Sequence, residues 1–251
     1  MGIVNKIINI LFRQLKFKYL FSGSLVRIDK SSVFTIGESV SIRKSKITLA
    51  PGSKLHIDKG ASINNVNLFV DGEVCIGSDS IIEKGESSLP VKIYIRQKGK
   101  LVCGNNSRLR CNIIIRFGGN VIIGNYTNIN EGTEIRSDEI VNIGSYNQIS
   151  YNCVIWDTNT HNIYDYEKRR KIAEDFFPAF GHEYEKPKVK PVFIGDDCWI
   201  GREAAILKGA TVGDRSIIGF RTVIVNCHID KDMTVVNTIN NTIFPNKKES
   251  I

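Results

Sequence analysis

Proline is sparse, six in 251 residues, which leaves no Pro-rich linker to divide the chain. The six cysteines (Cys75, Cys103, Cys111, Cys153, Cys198 and Cys227) never fall in a Cys-x-x-Cys spacing. That removes zinc ribbons and thioredoxin-like redox motifs. No secretory signal with a small-residue cleavage site is evident, and no apolar run is long enough to cross a bilayer. Reduced thiols and a cytoplasmic location are therefore expected. Acidic residues are the minority charge, 26 against 34 basic, for a net charge of +8. The surplus suits an anionic partner or a solvated basic surface; a nucleic-acid partner is not expected.

What the chain does have is a beat of six. Ile194, Ile200, Ile206, Val212, Ile218 and Ile224 recur without a slip, and Gly195, Gly201, Gly213 and Gly219 follow four of them. The fifth residue of each unit is small: Cys198, Ala204, Ala210, Ser216, Thr222. Neither an amphipathic helix nor an alternating strand has this period; a hexapeptide β-helix does. Each aliphatic residue then points into a narrow three-sided prism, the small residue sits near a corner, and Gly permits the sharp turn. On this reading Cys153 and Cys198 are small buried fillers. Trp199, one place before an inward Ile, faces outward.

The beat is irregular from about residue 30 (Ile36, Ile42, Ile57, Ile63, Ile76, Ile82) and cleaner through Ile123, Ile129, Ile135 and Ile143, Ile149, Ile155. Gly104, Gly124 and Gly144 are twenty apart, three hexapeptides with an enlarged corner, whereas Gly195 to Gly213 is eighteen. It breaks badly once, between Ile155 and Ile194. The interruption, 156–192, is rich in aromatic residues, holds the charged run Glu167–Lys171, and returns through Lys186 to Pro191; it reads as an ordered excursion from a rigid scaffold. The expected organisation is a basic amphipathic N-terminal segment over 1–29, a β-helix over 30–235 with the excursion, and a tail over 236–251. Residues 3–21 read as a cap over the open end of the prism or as a peripheral membrane contact, and both remain open.

The run from Ile194 through Cys198, Trp199, Ile200 and Gly201 to Gly219, preceded by a loop with a His, resembles the hexapeptide-repeat O-acetyltransferases. These are left-handed parallel β-helix enzymes that include galactoside and maltose acetyltransferases and bacterial polysaccharide and sialic acid O-acetyltransferases. The likeness in pattern covers about 30–235, and the specific likeness about 120–225. It implies that His161 is the catalytic base, with His182 in reserve. An alcohol is a weak nucleophile at neutral pH, and a neutral imidazole within reach removes its proton as the new bond forms. Asp157 either orients that imidazole or ends the strand. The resemblance further implies that Trp199 lines the groove for the acyl donor and that the Arg202 N–H stabilises the oxyanion. Asn128 and Asn130 match an Asn-rich coil that touches the acceptor sugar; Asn is also a common corner residue.

The implied donor is acetyl-CoA, lying against Trp199, Gly201, Arg202, Gly219, Phe220 and Arg221. The chain departs from relatives here: Phe220 to Asn226 stands where a Thr-Lys pair is common, and the C-terminal Gly-x-Pro-Ala-Lys element is missing. Arg221, Lys247 and Lys248 remain as phosphate partners. No metal is implied, because a β-helix zinc site needs several His at coil spacing and only four exist. The resemblance implies a homotrimer with sites shared between subunits. The expected activity is acetyl transfer to a sugar hydroxyl of a surface glycan (capsule, lipopolysaccharide or sialic acid). The alternatives are N-acylation of an amino-sugar nucleotide, and a β-helical scaffold without activity.

Overall fold

The computed structural model describes residues 21–86, 89–178 and 185–238. The chain winds as a left-handed parallel β-helix with three strand columns, which are the three faces of a prism. Face 1 runs from Leu25–Ile28 through Lys46–Leu49, Asn112–Ile115, Glu134–Ser137 and Val154–Trp156 to Ala205–Leu207 and Val223–Ile224. Face 2 runs from Val33–Ile36 through Asn120–Ile123 and Ile140–Ile143 to Val192–Ile194 and beyond. Face 3 is a separate nine-stranded sheet from Ser41–Arg43 to Thr234–Val235. The long strands Val66–Ile76 and Val91–Cys103 bend across the corner between faces 1 and 2 and so join them into one sheet.

The winding begins at Leu25, inside the segment read as a cap, and its last strand ends at Val235. Residues 1–20 of the expected N-terminal helix lie outside the described residues, as do His182, Lys247 and Lys248. Phe21 is described, and its ring packs 6.5 Å from Phe34. No described helix is long and apolar enough to cross a membrane.

The beat of six is the inward column. On face 3, Leu109, Ile129, Ile149, Ile200 and Ile218 stack one above another, fully buried. Each such side chain contributes about 2 kcal/mol by leaving water. Cys153 and Cys198 are buried, as their slot implies.

The glycines after the aliphatic residues do a different job from the one expected. Their φ values are not positive; the left-handed turn falls two places later, on Tyr126, Tyr146 and Asp197. Gly is needed because coils approach closely: a Cβ on Gly124 would stand 2.6 Å from the carbonyl carbon of Gly144. The neighbouring small residues form a polar ladder. Thr127 Oγ1 accepts the Asn147 N–H at 3.2 Å and donates to Gly144 O at 2.9 Å. Asn147 accepts the Cys198 N–H at 2.7 Å and donates to Gly195 O at 2.9 Å. Small size and hydrogen bonding are both required at that slot.

Candidate active site

The excursion leaves face 1 after Val154–Trp156 and re-enters face 2 at Val192–Ile194, so it emerges at the corner between them. Its two ends are tied together. Asn159 N–H donates to Lys188 O at 3.0 Å, and Lys190 N–H donates to Asp157 O at 2.9 Å. Between these ends lies the helix Tyr166–Phe176, opened by Asp165, whose side chain accepts the Lys168 N–H at 2.9 Å. No residue of this helix is buried.

His161 sits just past the stem and is exposed. The stem beneath it is held by a buried polar network. Arg116, from two coils below, makes a two-pronged ion pair with Asp138, at 3.0 and 2.7 Å. The same guanidinium donates to Thr160 O at 3.1 Å. Thr158 Oγ1 donates to Asp138 at 2.6 Å and accepts the Thr160 N–H at 3.0 Å. Thr160, directly before His161, is buried with φ +63°. That conformation costs a β-branched residue about 1–2 kcal/mol, and the bonds on both sides hold it.

Asp157 is fully buried. Its carboxylate accepts from Ser137 Oγ (2.7 Å), Asp138 N–H (2.8 Å) and Glu139 N–H (2.9 Å). Burial raises its pKa, and these three donors offset part of the rise. Its bonds thus join the stem to the coil below. Trp156 packs under the Arg136 guanidinium, 4.9 Å away, a structural role.

The other predicted residues lie on face 3 and its border with face 1. Trp199 is 57% exposed. It stands in the outward column Arg108, Asn128, Gln148, Trp199, Ile217, two coil steps or about 10 Å from Asn128. Asn128 Nδ2 donates to Gln148 at 3.4 Å, and Asn130 turns back to donate to Ile149 O at 3.2 Å. Arg202 and Arg221 stack at the corner between faces 3 and 1, where Glu203 bridges them at 3.3 and 2.6 Å. The Arg221 guanidinium covers the exposed Phe220 ring at 4.7 Å.

Among the described residues, the Arg202 N–H donates to no acceptor. At the opposite border of face 3 several turn N–H groups are capped by side chains; those of Asn125, Ser145 and Asp196 donate to Ser145 Oγ, Asp196 Oδ1 and Asp214 Oδ1. The Gly201 and Gly219 N–H groups are taken by carbonyls of the next coil. Exposed aromatic surface beside two guanidiniums with spare donors fits a ligand that has an apolar arm and phosphate groups.

The Arg116–Asp138–Thr158 clamp is absent from the reading of the sequence. The one signal for it is the coil length of twenty, which sets Asp138 directly beneath Thr158 and Ser137 beneath Asp157. Four of the thiols are buried and poor nucleophiles: burial pushes Cys103 and Cys111 up to about 12 and raises Cys153 and Cys198.

This fold is the left-handed β-helix of hexapeptide repeats, and residues 191–226 match the family model "Bacterial transferase hexapeptide (six repeats)". Among solved structures, the chain is similar to the polySia-specific acetyltransferase NeuO, at 18% identity over 90% of each chain with a TM-score of 0.54, a likeness of fold. A hexapeptide-repeat acetyltransferase of Vibrio cholerae complexed with acetyl coenzyme A matches at 26% identity, over 52% of this chain and 63% of that one, with a TM-score of 0.40. The polysialic acid O-acetyltransferase OatWY matches at 18% identity over 88% and 91%, with a TM-score of 0.27. No curated protein matches the sequence.

Proposed function

We propose that this chain transfers an acetyl group from acetyl-CoA to a sugar hydroxyl of a bacterial surface glycan, on the cytoplasmic side of the membrane. The observation that carries the reading is the stem: a buried, charge-paired clamp spends backbone strain at Thr160 to fix the residue next to an exposed histidine. A loop without a task needs no such anchoring. The transferase hexapeptide match at 191–226 and the polySia acetyltransferase fold support the class of reaction.

In this reading His161 takes the proton of the acceptor hydroxyl as its oxygen attacks the thioester carbonyl. The unpaired Arg202 N–H faces the negative charge that develops on the carbonyl oxygen. The carbon–sulfur bond then breaks, and His161 returns the proton to the leaving thiolate, which balances the step without a covalent enzyme intermediate. Trp199 and Phe220 pack along the donor's apolar arm beside the Arg202 and Arg221 guanidiniums, and Asn128 contacts the acceptor. Acetyl-CoA supplies the activated acyl group. Replacing His161 by Ala should lower kcat at least about 100-fold with an unchanged melting temperature. A variant with wild-type turnover, followed as free thiol released from acetyl-CoA, would overturn the assignment.

A further inference from the structure

Below the excursion, face 1 and its corner with face 2 carry an open groove of about 740 Å³ that the chemistry above does not use. Its walls carry three aromatic rings (Phe69, Tyr94, Phe117) and three cations (Lys46, Arg96, Arg116). Phe69 and Tyr94 are registered partners on adjacent coils, and Thr48 lies beneath Phe69. From the Lys46 coil to the Arg116 coil are three steps, about 14 Å, room for more than one sugar ring.

The cations differ in their commitments. Arg116 is paired with Asp138, and the one acidic lining residue, Asp71, is bound by Lys98 at 2.8 Å and by the Gln97 N–H at 3.0 Å. Lys46 and Arg96 have no ion-pair partner among the described residues. The groove therefore presents two uncommitted positive charges beside flat apolar surface. Pyranose rings pack their C–H faces on aromatic rings, and carboxylates seek guanidinium and ammonium groups. The upper end of the groove is Arg116, whose guanidinium holds the carbonyl directly before His161.

We infer that this groove binds a stretch of carboxylate-bearing glycan along face 1 and its corner with face 2 and feeds it upward to His161. The inference deepens the acetyl-transfer reading by naming an acidic polymer, rather than a free sugar, as acceptor. It is tested on the full chain without acetyl-CoA, by calorimetric titration with oligosialic acid and with neutral malto-oligosaccharide.

Oligosialic acid should bind in a salt-sensitive manner, and the neutral sugar much more weakly. Arg96→Ala and Lys46→Ala should each weaken binding about fivefold, as expected for one exposed charge contact, while Lys231→Ala, outside the groove, should not. Folding of each variant is checked by its melting temperature, since neither groove side chain supports the core. Equal binding by wild type, Arg96→Ala and Lys46→Ala would overturn the inference, as would equal binding of the two probes. Loss of the native oligomer on Arg96→Ala would also overturn it, because the groove would then be a subunit contact. A chain that binds oligosialic acid through Arg96 yet releases no thiol from acetyl-CoA keeps the groove and sinks the transfer reading; normal transfer with binding indifferent to Arg96 does the reverse.

Discussion

Arg116 joins three things in one guanidinium: a buried carboxylate, a strained backbone carbonyl and the wall of a groove. Asp138 is 1% exposed, and that guanidinium is its ion-pair partner. Arg116→Ala should cost about 3 kcal/mol by stranding Asp138, and it should lower kcat more than the KM for acetyl-CoA by releasing Thr160 and His161. Arg116→Lys keeps the charge but not the fork and should fall between. Denaturant unfolding beside steady-state kinetics checks this; an alanine variant as stable as wild type would refute the clamp. The stacked glycines make a simpler case. Gly124→Ala drives a Cβ into the backbone of the next coil and should cost about 1–3 kcal/mol, read as a lower melting temperature. These two residues also differ in how far sequence reveals them. Gly124 is marked by its place in the twenty-residue spacing. Arg116 carries no mark, because its partners lie 22 and 44 residues away and only the winding brings them together.

At the scale of elements, the period of six foretold what repeats. It gave the inward aliphatic columns, the buried Cys153 and Cys198 and the outward Trp199, because each follows from one residue per coil entering the prism. It was silent on the helix Tyr166–Phe176, which buries nothing and so shows no apolar stripe. That helix can be dispensable to the scaffold only if the stem holds itself. Excising the segment from Tyr164 to Glu185 behind a short linker should leave the melting temperature within a few degrees, since the bonds of Asn159, Lys188, Lys190 and Asp157 remain; unfolding would show that the helix supports the prism. Between coils, Glu83 is clamped by Arg108 and Arg110. Burial works against its ionisation, but the two guanidiniums outweigh burial and hold its pKa below the ordinary value. Its stabilisation is therefore complete above about pH 4.3, the unfolded value, and fades as pH falls through the lower folded value. Glu83→Gln should unfold at lower urea than wild type at pH 7, by at most about 1 kcal/mol, with the gap closing in acid. A gap that widens on acidification would contradict the pairing.

On the scale of the whole molecule, one chain keeps the two halves of the proposed chemistry apart. His161 rises from the corner between faces 1 and 2, whereas Trp199 stands on face 3, the one face that does not border that corner. Arg202, at the far edge of face 1, is separated from the stem by the length of a strand, about 13 Å. A prism is rigid, so it cannot fold to close this gap. A second copy can close it, by setting its face 3 against the first copy's excursion, and repetition around a three-fold axis makes three equal sites. The consequence is specific. His161→Ala and Trp199→Ala should each be inactive alone. Co-expressed with different affinity tags and purified as mixed assemblies, they should recover about a quarter of wild-type activity, because some interfaces then join an intact His161 on one chain to an intact Trp199 on its neighbour. Mixed assemblies that form but stay inactive would place His161 and Trp199 in the same chain's site, and the excursion would then have to reach across a face of its own prism.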